Sequence, residues 1–321
     1  MPAKGFVHVF DDTTLNVVMS QLDTITDFVE YLSKKEALIT GDVRIAAAGE
    51  EELLARYLGR LNASGEHDFM IPAKSDAVYF DQGSWIHFLQ SFERHAQVEA
   101  NEISYAWDDL IDRFAYHAIT GTQYMSGGPL RRQEQAFRIV ARENRTRRRM
   151  LSEAVHGVLS RSIYSERLFD ARVIMPSRKG EPHYVFLCVR HDKTRTDEEY
   201  RKFRYSLLST YCHIVKLKWP DAQGIVGIAT ESGLEDDRSE DMVYFDASKW
   251  TPEDEAKAKE MQARFNLLES TKMTKGVAHE YPVDHRGMDR ETIQSRNSLC
   301  KCGSGKRFRN CHGRKFYPKK K

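Results

Sequence analysis

A chain of 321 residues, 40% hydrophobic and 30% charged, is long enough for one large or two ordinary globular domains with buried cores. No apolar run is long enough to cross a bilayer and the first ten residues lack a signal-peptide pattern, so the expectation is a cytoplasmic protein without membrane insertion. The formal net charge of +2 is unevenly spread. Residues 295–321 hold ten Lys or Arg and no Asp or Glu, which leaves 39 basic against 47 acidic residues, net −8, in the rest.

In chain order, residues 6–10 read as a short strand. Asp11 and Asp12 offer a helix cap, and Leu15, Val18, Leu22, Ile25, Val29 and Leu32 recur at steps of three and four, predicting one long helix ending near 39–41. A second helix is expected over 50–61, a strand over 76–80 and a helix over 85–92. Residues 104–119 predict a helix with Trp107, Ile111, Phe114 and Ala118 inward. Its Asp109, Asp112 and His117 are read as solvated charge rather than a metal or acid–base site.

Residues 134–159 contain no Gly or Pro before Gly157, which predicts a single long helix. On it Arg138, Arg142, Arg145 and Arg149 fall at steps of four, three and four, one stripe of like charge that opposes helix formation unless compensated. Phosphates of a nucleic acid and carboxylates of the chain itself are equally good partners for such guanidinium forks.

From 169 onward the pattern changes. Strands are expected over 169–175 and 184–189 as a hairpin, a helix over 198–217, strands over 224–229 and 242–245, and a helix over 252–268. The order β-β-α-β-β-α is that of an α+β domain. The whole chain is therefore expected to be α+β: a mainly helical region over 1–160, a small mixed sheet with helices over 161–268, a linker over 269–297 and a C-terminal module over 298–321.

That module carries the most specific signal. Cys300, Cys302, Cys311 and His312 place three thiols and an imidazole within thirteen residues, a complete tetrahedral set for zinc. Three cysteines leave one unpaired in any disulfide scheme. Gly303 and Gly305 permit the reversal that brings the two halves of the set together. Cys188 and Cys212 lie in apolar surroundings and read as reduced core residues.

The Cys-x-Cys pair, the Gly303-Ser304-Gly305 turn, the basic-aromatic stretch Lys306, Arg307, Phe308 and Arg309, and the Cys311-His312 pair resemble the SEC-C motif. This is the short zinc-binding module named after the tail of the SecA preprotein translocase. The resemblance implies a bacterial-type interaction protein whose partner is nucleic acid, a ribosome, a translocase- or chaperone-type protein, or another acidic protein face. Lys306, Arg307 and Arg309 are the contact candidates. It covers only the last two dozen or so residues, and no phosphate-binding Gly-x-x-x-x-Gly-Lys-Ser/Thr loop accompanies it.

The alternative is a nucleic-acid-processing enzyme with the tail as targeting device. A restriction-endonuclease-like core needs an acid on one strand and an acid-x-Lys group on the next. Asp170 fits the first position, but His191-Asp192-Lys193 lacks the intervening residue. A serine-hydrolase elbow is absent, and Cys212 and His213 are adjacent on a predicted helix, so they point apart.

Overall fold

A hairpin, a long crossover helix and a second hairpin build the main sheet of the protein. The computed structural model describes residues 7–72, 75–120, 130–176, 178, 180–192, 194–232, 238–268, 279–281 and 306–307. Strands β3 (Phe169–Ile174) and β4 (His183–Val189) pair antiparallel, and so do β5 (Gly224–Glu231) and β6 (Glu240–Asp246). The central pair β4–β5 is parallel, giving the order β3-β4-β5-β6. Parallel neighbours require a crossover, here the 22-residue helix α9 (Asp197–Lys218), started by a capping box between Thr196 and Glu199.

Both faces of this sheet are covered, which explains the unbroken apolar run of β4. Tyr184, Phe186 and Cys188 face a core shared with α6 (Tyr105–Thr120), α7 (Leu130–Ala141) and α8 (Arg145–Ser162). Val185, Leu187 and Val189 face the other way, onto Leu208, Cys212 and Val215 of α9. Gly227 of β5 sets how close α9 can come. A Cβ there would lie 2.8 Å from the side chains of both Leu208 and Val243 and 2.9 Å from the Cys212 sulfur. Helix α10 (Pro252–Phe265) follows β6, with a Thr251–Asp254 capping box and Pro252 at its start.

A second compact unit holds the described residues of 1–23, 27–101 and 278–321, whereas those of 24–26 and 102–277 belong with the sheet. Its helices are α1 (Asp12–Gln21), α2 (Ile25–Ile39), α3 (Glu50–Leu58), α4 (Ser84–Leu89) and α5 (Phe92–Asn101), with a two-stranded parallel sheet of β1 (Arg44–Ala47) and β2 (Ala77–Phe80). Val18, Leu22, Tyr31, Leu54, Tyr57 and Phe69 form its core. Buried Glu52 accepts from the backbone N–H groups of Gly83 and Trp85, fixing the start of α4. The chain returns to this unit at 280–281. Tyr281 donates its hydroxyl to the Leu58 carbonyl, and Glu280 accepts from Gln97 at 2.6 Å.

The α+β class and the helical character of the first half are as the sequence implies. Four local expectations are corrected. Val7–Phe10 forms no strand, and its Val7 and Val9 are exposed. The long helix of 12–40 breaks after Gln21, where Leu22 is its C-cap, which leaves Ile25 and Val29 exposed. The expected helix of 134–159 is two helices, because Asn144 caps a new start by accepting from the Arg147 N–H. Ala118 is exposed rather than inward. The expected boundary at residue 160 falls inside α8.

Candidate functional site

Helix α8 carries two of the four arginines of the expected stripe, Arg145 and Arg149, and its break from α7 separates them from Arg138 and Arg142. Arg138, on α7, is exposed and pairs with Glu134 at 2.6 Å. Arg142 is exposed in the connection after α7, where its carbonyl accepts from Thr26. Arg145 and Arg149 are buried, at 8% and 4% exposure, so they line no exposed stripe. The compensation seen for Arg145 is intramolecular. Its guanidinium donates to Asp108 at 2.7 Å and to Ser104 at 3.1 Å, over the Tyr105 ring. Arg148 takes the other oxygen of Asp108 and also donates to the carbonyls of Ala141 and Glu143. One α6 carboxylate thus ties two α8 guanidiniums to the α7–α8 connection.

Beside this tie Glu143 accepts from the Tyr184 hydroxyl at 2.6 Å. Burial raises the Glu143 carboxyl above the usual carboxylate range, against the pull of Tyr184 and Arg147. His183, the first residue of β4, is 4% exposed, and neither ring nitrogen has a hydrogen-bond partner among the described residues. Burial lowers its pKa, and the charges of Arg147 and Lys216 push the same way.

At the opposite end of the sheet lies a second buried ionic cluster. Arg204 of α9 is fully buried and donates to Asp241 at 2.6 Å, to the Ser239 carbonyl at 2.9 Å and to Glu231 at 3.4 Å. Arg201 reaches the other Asp241 oxygen at 3.0 Å. On the opposite face Glu240 pairs with Arg113 at 2.9 Å, and burial raises its carboxyl. Every one of these charges has a structural partner. The sequence signal for Arg204 was an arginine inside the apolar stripe Tyr200, Leu208 and Tyr211, a position that calls for a buried counter-charge.

Of the nuclease-like candidates Asp170 and Asp192 are described, whereas Lys193 lies outside the described residues. Asp170 lies on β3 opposite Cys188 and lines an open cleft of about 520 Å³ with Ser160, Arg161, Tyr164, Ser165 and Arg167. Asp192 lies beyond the end of β4, where it accepts from the Thr194 backbone and hydroxyl and pairs with Arg195 at 3.1 Å. Each carboxylate is in a different local setting. The Cys188 thiol donates to Ser162 and to the Glu231 carbonyl, and burial pushes both Cys188 and Cys212 toward the neutral thiol. His213 donates its Nδ1–H to the Ser209 carbonyl at 2.7 Å and packs on Phe245.

Of the tail, Lys306 and Arg307 are described, and both are exposed. Cys300, Cys302, Arg309, Cys311 and His312 lie outside the described residues. Among the described residues no group of three or more His, Cys, Asp or Glu could hold a metal ion. No helix among them is long and apolar enough to cross a membrane. The family model of the SEC-C motif matches residues 296–314, the stretch that contains all four donors. The chain is thus a protein with a C-terminal SEC-C motif. No solved structure matches it.

Proposed function

We propose that residues 298–321 form a zinc-organised docking module that brings the two-unit body to a polyanion, nucleic acid or the RNA of a ribosome, in the cytoplasm. The SEC-C match over 296–314 carries this proposal, because it falls on the segment where four soft and borderline donors coincide with an unbroken excess of positive charge. The donor set fits zinc: three thiolates and one imidazole fill a tetrahedron and leave no open position, so the metal would act as a scaffold rather than a catalyst. Cys300 and Cys302 would hold one side, with Cys311 and His312 on the other.

Charge arithmetic assigns the docking to the side chains rather than the metal. Zn²⁺ with three thiolates and a neutral imidazole is a −1 centre. The attraction for phosphates would therefore rest on the tail's ten Lys and Arg, Lys306, Arg307 and Arg309 among them, which a bound zinc would hold in place. Arg138 and Arg142 are the members of the arginine stripe left on the surface to add to it, whereas Arg145 and Arg149 support the fold from inside.

Pull-down from bacterial lysate, with and without nuclease treatment, tests the proposal by comparing the intact chain with one truncated after Gln294. Nuclease-sensitive recovery of nucleic acid or ribosomes by the intact chain alone is expected. Equal recovery by the truncated chain would move binding to the body, and nuclease-resistant capture of a protein would replace nucleic acid by an acidic protein face.

A further inference from the structure

Strand β3 ends the four-stranded sheet, and among the described residues no strand pairs with its outer edge. The Leu168 carbonyl accepts from the Arg190 N–H, so alternation along an antiparallel strand turns the backbone groups of the even-numbered residues toward β4. Those of Phe169, Ala171 and Val173 then face outward. A six-residue edge with a free ladder is a template for another strand unless its side chains forbid it.

The side chains of this edge select their partner. Asp170 and Arg172 lie two apart on one face, both half-buried, and neither makes a hydrogen bond or ion pair with a described residue. The Arg172 guanidinium lies over Gly157 of α8, where that of Arg161 also converges. An unpaired carboxylate and an unpaired guanidinium on an edge repel strands carrying the wrong charge and accept those carrying the right one.

We propose that the occupant of this edge is a second copy of the chain, joined by antiparallel β3–β3 pairing about a two-fold axis at Ala171, which makes one eight-stranded sheet. In that register Asp170 faces Arg172 of the partner subunit, and the reverse pair forms by symmetry. Phe169 faces Val173 of the partner subunit on the other sheet face, and Leu168 faces Ile174 of the partner subunit. The outward backbone groups of Phe169, Ala171 and Val173 meet their own counterparts, so the hydrogen-bond ladder closes.

Neighbouring registers fail. A slip of one residue sets an outward-facing backbone against an inward-facing one, and a slip of two sets Arg172 against itself or Asp170 against itself. One register thus satisfies backbone and charge together. Exposed Tyr164, Leu168 and Met175, at 89%, 52% and 36%, flank the edge and supply apolar surface beyond the ladder, as a stable pair needs roughly 1,200 Å² or more in total.

Sedimentation equilibrium of the full chain with zinc present, over a range of concentrations, reads the assembly. The wild type is expected to sediment as a dimer. Asp170→Arg and Arg172→Asp are each expected to weaken the dimer by about tenfold or more, because each places two like-charge pairs on the symmetric interface. Combining both substitutions restores opposite charges and is expected to restore dimerisation. Ala171→Pro, which removes an outward N–H without touching the β4 ladder, is expected to give a monomer with an unchanged circular dichroism spectrum. A wild type that stays monomeric at all concentrations overturns the proposal. So does a dimer insensitive to these substitutions, or a double charge swap no tighter than the single ones.

Discussion

Replacing Asp241 by Ala removes the counter-charge of a guanidinium with no exposure at all. Arg204 and Asp241 have side-chain exposures of 0% and 1%, and their atoms meet at 2.6 Å. At that separation and an effective dielectric near 20, the attraction is on the order of several kcal/mol. Glu231 at 3.4 Å and the Ser239 carbonyl at 2.9 Å remain to Arg204, and Arg201 keeps water on its exposed side. Loss of one partner of a buried pair costs about 3–5 kcal/mol, because the other charge stays desolvated. For a unit of this size a kcal/mol is worth about 2–4 °C in Tm, so the melting temperature is expected to fall by roughly 10 °C. Thermal and urea unfolding by far-UV circular dichroism measure this. The double substitution Arg204→Met with Asp241→Leu removes both charges and is expected to recover most of the loss. An Asp241→Ala protein within about 1 kcal/mol of wild type would refute the claim that this pair organises the end of the sheet.

Gly227→Ala forces a methyl against Leu208, Val243 and Cys212 and is expected to destabilise by about 1–3 kcal/mol through overpacking, read as a lower urea midpoint at constant slope. His183 makes the sheet unit sensitive to acid. Its folded pKa lies below the unfolded value, so the unfolded chain binds the proton first, and stability present at neutral pH is lost as pH falls below about 6.5. His183→Phe, which keeps a ring against Trp219, should flatten that loss in urea melts between pH 7 and 5; a steeper loss would contradict the sign. Glu143 acts oppositely. Its raised carboxyl pKa means the folded state gains a proton first on acidification, so Glu143→Gln should help stability most above the raised pKa and progressively less toward pH 4.

The sheet domain was legible because its strands are short, apolar and set off by turn residues, and because α9 carries both a capping box and a clean end at Trp219-Pro220. The helical half was harder. Periodicity continues through Leu22 and through Arg142, so a 3.6-residue pattern alone joins α1 to α2 and α7 to α8. The breaks come from local competition, Asn144 capping a new helix in the one case and the chain turning at Leu22 in the other. Strand β1 was invisible for a different reason. Arg44-Ile45-Ala46-Ala47 has weak strand propensity and is held by parallel pairing with β2, a long-range contact.

The arginine stripe shows where spacing misleads. Charges at helical intervals look solvent-facing, yet Arg145, Arg148 and Arg149 are buried, and only a carboxylate 37 to 40 residues away, Asp108, explains two of them. The tail is the reverse case. Its chemistry is local in sequence, four donors around a Gly-Ser-Gly turn, so it could be recognised without a fold.

The most direct test measures zinc per chain and RNA affinity in the same preparations of intact protein and Cys302→Ala, using elemental analysis and fluorescence anisotropy across a salt series. One zinc per chain, RNA binding that falls steeply with salt, and loss of both in the variant with the body's unfolding transition intact are expected. A zinc-free protein, or a Cys302→Ala protein that binds RNA as tightly as the intact chain, would contradict a zinc-organised docking tail.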